Sequence, residues 1–138
     1  MTEVADALAR QVWDLVFAYD AAYDRAAQVV GLSAAQACLL EHLSPDSRPM
    51  GELALELRCD ASNVTQLVSR LETRGLVARV ADPDDRRIKR VLITPAGADV
   101  RRAVRGAFGF PSERLGLLTD QEQRQLYGLL RKMLGPAS

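Results

Sequence analysis

The stretch LALELRCDASNVTQLVSRLETRGLVARVADPDDRRIKRVLITPAG, residues 53–97, decides the fold. Leu53, Ala54 and Leu57 mark one short helix. Arg58, Cys59 and Asp60 intervene, and a second apolar stripe follows at Val64, Leu67, Val68 and Leu71. Spacings of three and four residues put each set on one helical face. Asp60 suits the N-cap of the second helix, where a carboxylate accepts from free amides, and Gly75 suits its C′ position, where the backbone turns left-handed. Two short helices joined by so short a turn form a helix-turn-helix. The runs LVARV at 76–80 and IKRVLIT at 88–94 are β-branched and flank a turn rich in Asp with one Pro, which predicts a hairpin. Thr94 followed by Pro95 reads as an N-cap with proline in the first helical turn.

Working outward, Val4, Leu8, Val12, Leu15, Val16 and Tyr19 recur at helical spacing and predict a long first helix over about residues 3–29, stopped at Gly31. Ser33 with Gln36 is a capping box opening a second helix through Leu39, Leu40 and Leu43, ended at Ser44-Pro45. After Thr94, the stripe Val100, Val104 and Phe108 runs until Phe110-Pro111 breaks it. Thr119 and Glu122 cap a last helix striped by Leu126, Leu129, Leu130, Met133 and Leu134, ending at Gly135-Pro136. The expected fold is mainly α with a small β-hairpin wing: a winged helix-turn-helix with extra helices at both ends, in one domain of 138 residues.

Composition narrows the class. The chain is 48% hydrophobic, ample for a core, yet its apolar runs are too short to cross a bilayer. The acidic, amphipathic N-terminus lacks the pattern of a secretory signal. Two cysteines, Cys38 and Cys59, are too few for a disulfide framework and lack metal-ligand spacing, so the expectation is a reduced cytoplasmic protein without cofactor or metal. Net charge is zero but partitioned. Residues 1–57 carry three Lys/Arg against nine Asp/Glu, residues 58–90 eight against five, and residues 91–138 seven against four. A basic middle segment is compatible with a polyanion partner.

The second helix of the pair carries the chemistry. Opposite its apolar stripe stand Ser62, Asn63, Thr65, Gln66, Ser69, Arg70 and Thr73, and no carboxylate interrupts that face until Glu72. Asn and Gln suit adenine edges, Arg suits guanine, and Ser and Thr suit either. A merely solvated helix would mix Glu and Lys there. At the hairpin tip, three aspartates and four cations crowd residues 82–90. Asp82, Pro83 and Asp84 suit the turn itself. Asp85 can pair with a neighbouring arginine. Arg86 or Arg87 can enter a minor groove, where negative potential favours arginine, while Lys89 and Arg90 take phosphates. A bland reading leaves a solvated helix and a self-neutralising turn. No nucleophile with its base, phosphate loop or paired carboxylates suggests an enzyme.

Residues 53–97 resemble the DNA-binding core of the MarR family of bacterial regulators. The family pattern LxxRGLV, DPxDRR and LTPAG is matched at residues 71–77, 82–87 and 93–97, with Ile93 for the usual Leu. The resemblance implies a single MarR-type domain over residues 1–138, with dimerisation helices at 1–31 and 96–138 and a winged DNA-binding lobe at 32–95. It implies a homodimer, double-stranded DNA with a pseudo-palindromic operator as partner, and a ligand-responsive regulator, more often a repressor. Asp85 and Arg87 match the family's element in which Asp braces the wing and Arg reaches the minor groove; Arg86 competes for that role. Arg58 stands where the family usually has Gly, so a strained turn is expected, and Gln66 stands where Arg is frequent. A small aromatic or phenolic effector is also implied, with Tyr19 and Tyr23 the candidate contacts and Trp13 and Phe17 read as dimer core. Cys59 reads as core, Cys38 as a thiol with no basic neighbour, and His42 as a solvated residue at a helix end. The rival reading is a winged-helix module that binds a protein partner and not DNA.

Overall fold

The computed structural model describes residues 1–136. Among them are seven helices and three short strands: α1 (Glu3–Gln28), α2 (Ala34–Glu41), β1 (Arg48–Pro49), α3 (Met50–Leu57), α4 (Ala61–Thr73), β2 (Val77–Ala81), β3 (Lys89–Ile93), α5 (Pro95–Ala107), α6 (Phe110–Leu115) and α7 (Asp120–Leu134). The chain is therefore mostly helical with a winged helix-turn-helix order, as its periodicity predicts. Local signals hold closely. Ser33–Gln36 and Thr119–Glu122 form reciprocal capping boxes, and Thr94 caps α5 with Pro95 behind it. Two elements are additional. Phe110-Pro111 starts α6 where the sequence reads as a break, because proline is at home in a first helical turn. β1 is two residues long and has no period to read.

Contacts gather into two units, Asp20–Phe108 and Met1–Tyr19 with the chain from Gly109 onward. In the first, Leu39, Leu40, Leu53, Val64, Val68, Leu71, Val91 and Val104 are fully enclosed. Burying a Leu or Val side chain contributes about 1.5–3 kcal/mol, so this stripe-against-stripe core fixes how α2, α3, α4 and the sheet pack. The sheet is antiparallel in the order β1-β3-β2; Val77 faces Ile93, Val80 faces Arg90, and Arg48 faces Val91. α5 is fastened to α2: Arg101 donates to the Leu40 and Leu43 carbonyls at 3.2 and 2.6 Å, and Arg105 grips Glu41 at 2.6–3.0 Å. The Leu40 carbonyl also accepts from the Leu43 amide, and the Leu43 carbonyl lies just past the end of α2.

One tight junction joins hairpin base and α5. Thr94 donates through Oγ1 to the Gly75 carbonyl at 2.7 Å and accepts from the Gly97 amide at 3.1 Å, while its own amide donates to the Leu76 carbonyl. Gly97 is required there, since a Cβ would stand 1.9 Å from the Leu76 oxygen. The turn between α3 and α4 holds the opposite case. Arg58 adopts φ 52, ψ 42, the one non-glycine residue with positive φ among the described residues, a conformation that costs about 1–2 kcal/mol for an L side chain. The expected strain in this turn is present.

In the second unit, helix packing leaves apolar side chains outside. Val4, Leu8, Val12, Trp13, Val16 and Phe17 of α1 are exposed, as are Leu129, Leu130, Met133 and Leu134 of α7. Trp13 meets Phe17 edge-on at 5.1 Å, and Arg114 stacks over Phe110 at 5.1 Å. A groove of about 520 Å³ runs along α7, lined by Leu115, Gln123, Leu126, Tyr127 and Leu130. No described helix is long and apolar enough to cross a membrane.

Candidate nucleic-acid interface

α4 begins after Asp60, whose backbone is extended as an N-cap requires, but the Asp60 side chain makes no capping bond; the expected carboxylate cap is absent. The helix buries Val64, Leu67, Val68 and Leu71. Ser62, Asn63, Thr65, Gln66 and Arg70 are consequently exposed or half-exposed together on the other side. Thr65 donates its hydroxyl proton back to the Ala61 carbonyl at 2.9 Å, leaving the oxygen lone pairs outward as acceptors. Asn63, Gln66 and Arg70 have no side-chain partner within the described residues. Ser69 departs from this set. It is half-buried, donates to the Thr65 carbonyl at 2.9 Å and accepts from Arg79 Nη2 of β2.

Arg79 was not singled out by sequence reading, yet it ties the wing to α4. Besides Ser69, it reaches Glu72, which lies 3.5 Å from its Nε and accepts from its backbone amide at 3.0 Å. The signal was available: Arg79 lies two residues after buried Val77, hence on the same face of the strand, toward the helix. Glu72, the first carboxylate on α4, is thus occupied with this brace. The C-terminus of α4 is held separately, where Arg74 donates to the carbonyls of Val30 and Gly31 at 2.9 and 3.1 Å. Gly75 follows at φ 73, the left-handed C′ position expected of it.

At the wing tip the aspartates organise and the cations point out. Asp82 Oδ1 accepts from the amides of Asp84 and Asp85 at 2.9 and 3.2 Å, closing the turn. These amide bonds, with help from Arg90, hold the Asp82 carboxyl below the usual aspartate range. Asp85 takes Arg87 in a two-pronged grip, Nε to Oδ1 and Nη2 to Oδ2, both 3.0 Å, and also accepts the Arg87 amide. That grip lowers the Asp85 pKa and raises that of Arg87. The Arg87 side chain is nevertheless 91% exposed, so its charge is oriented without being covered. Arg86 and Lys89 are exposed with no side-chain partner within the described residues.

Arg90 corrects the sequence reading. Instead of facing phosphates it is half-buried, donating to Ser47 Oγ at 2.9 Å, the Ser47 carbonyl at 2.7 Å and Asp82 at 3.2 Å. It buttresses the wing from behind. His42 stands at the end of α2 as expected, with an added partner: its Nδ1 lies 3.1 Å from Glu56, which Arg48 also grips at 2.9 Å. The Arg48 contact, ahead of the His42 one, pulls the Glu56 pKa down. Tyr19 and Tyr23 fall in different units, meeting Phe110 at 5.9 Å and Phe108 at 5.1 Å, each edge-on. Burial first and the Glu41 carboxylate second push the Cys38 thiol up, away from the reactive thiolate. Cys59 is half-buried against the core, its thiol donating to the Leu57 carbonyl at 3.3 Å. No cluster of metal-ligating side chains occurs among the described residues.

Comparison with known proteins points one way. A family model described as MarR family matches residues 30–88. The transcriptional regulator HosA of Escherichia coli O111:H- is 34% identical over 74 residues, covering 53% of this chain and 55% of HosA. The chain spans about half the length of the curated relatives it matches. Among solved structures, wild-type MarR from E. coli in its apo form superposes with a TM-score of 0.79 at 26% identity, over 93% of this chain and 96% of that one. A mutant of the same protein complexed with operator DNA gives 0.76 at 26%, over 94% of each chain.

Proposed function

We propose that the chain is a MarR-family DNA-binding transcriptional regulator, a repressor acting as a homodimer on a pseudo-palindromic operator. The observation that carries the reading is the pairing of two surfaces in one lobe. α4 offers Ser62, Asn63, Thr65, Gln66 and Arg70 without a free carboxylate among them, and the wing holds Arg87 outward in the grip of Asp85. Side chains of the first set match base edges, and an oriented arginine matches the negative potential of a narrow groove. Ser69 contributes by fixing Arg79 and the wing strand, while Arg86 and Lys89 supply further cations. The exposed apolar faces of α1 and α7 support the homodimer, since a contiguous apolar surface of this kind marks an association site. Two copies related by a two-fold axis then address two half-sites. No catalysis is assigned to the chain.

Selection of bound fragments from a random duplex pool tests the reading. Enrichment of an inverted repeat is expected; a pool that stays random favours the protein-binding alternative. Replacing Arg86 and Arg87 together with Ala should weaken binding to every sequence and flatten its salt dependence. Replacing Asn63 or Gln66 should instead change which operator is preferred, by about 1–3 kcal/mol for each base edge no longer read. We extend the proposal to a small aromatic or phenolic effector touching Tyr19 or Tyr23, for which release of the operator on titration with simple phenols is the check.

A further inference from the structure

One cation beside α4 has no role in the reading above. Arg58 closes α3 in the left-handed region, is exposed, and makes no side-chain hydrogen bond or ion pair with the described residues. Glycine would hold the same turn without strain. Helix dipoles return little, because the guanidinium stands at the negative end of α3 and two residues before the N-cap of α4, whose positive end opposes it. The backbone is strained and the charge is unpartnered among the described residues.

Position supplies the missing partner. Ser62 lies four residues further on, so the two Cα atoms are within roughly 14 Å of each other. In a helix-turn-helix the N-terminal residues of the recognition helix meet base edges while the preceding helix crosses the backbone, so the turn between them lies over a phosphodiester strand. We propose that Arg58 is a phosphate-binding residue that contacts the DNA backbone at the rim of the groove α4 enters, an anchor separate from the wing. This rests on the DNA-binding reading given above. Because phosphate carries no sequence information, Arg58 adds affinity and register but no preference among bases.

The test compares wild type, Arg58→Gly and Arg58→Lys on the selected operator and on a random duplex of equal length, across a salt series. Arg58→Gly should keep its fold, melt at or above the wild-type temperature, and lose affinity by the same factor on both duplexes. Its plot of log affinity against log salt should be shallower by about 0.9 per engaged protomer. Arg58→Lys keeps the charge and should keep the slope. An unchanged slope in Arg58→Gly overturns the proposal, as does a loss confined to the operator or a lower melting temperature with binding intact. Wild-type protein that ignores every duplex at low salt overturns the DNA-binding reading itself, and is seen before any variant is made.

Discussion

The winged lobe and the helical unit built from the start of α1 with α6 and α7 treat their apolar residues in opposite ways. In the lobe, Leu53, Val68, Leu71 and Val91 have no exposure at all. In the helical unit, Leu8 is 58% exposed, Trp13 64% and Met133 72%, although their spacing is just as regular. Periodicity alone therefore says that a face will be covered, and not by what. The lobe covers its own faces. The helical unit presents stripes that we propose a second copy of the chain covers.

That contrast breaks most visibly if the open stripes are charged. Val12→Glu combined with Leu130→Glu would place uncompensated carboxylates in the proposed interface, where each costs several kcal/mol. Light scattering should report one chain at micromolar concentration against two for wild type, while the lobe keeps its helical signal. A dimer surviving both changes would show that these stripes are not its interface. Next in size, Leu71→Ala empties a closed position in the lobe and should destabilise by about 2–5 kcal/mol in thermal unfolding. A loss comparable to that of an exposed site would mean the lobe is looser than its burial implies.

The smallest effect concerns the wing and acid. Asp82 has a depressed pKa in the folded protein, so its stabilising bonds are complete above the ordinary aspartate range and are lost as pH falls through the folded value. As pH falls below the ordinary aspartate range, the Asp84 and Asp85 amides should lose protection from hydrogen exchange, after correction for intrinsic rates. In Asp82→Asn those amides should exchange faster near neutrality and show a flatter pH profile. Identical profiles would assign the acid response to another group.

Much of the fold was legible because its signals are local. The Ser33–Gln36 and Thr119–Glu122 boxes span three residues, as does the Thr94–Gly97 cap. The polar face of α4 follows directly from the spacing of Val64, Leu67, Val68 and Leu71. What escaped depends on distant partners. Arg90 looks like a phosphate ligand until Ser47, 43 positions away, is brought against it. His42 looks unpartnered until α3 delivers Glu56, and the second tether of Arg74 lies beyond α1. Side-chain charge is visible in a sequence; whether the fold has already spent it is not.

The Thr94 junction has a mechanical corollary. With its hydroxyl and amide locked onto residues 75 and 76, and the backbone of Gly97 pressed too close to admit even a methyl group, the hairpin cannot hinge at its root. Arg79 clamps the same strand to the helix beside it. Switching such a head off by bending its tip would mean tearing out several bonds at once; carrying the whole head to a new place would break none of them.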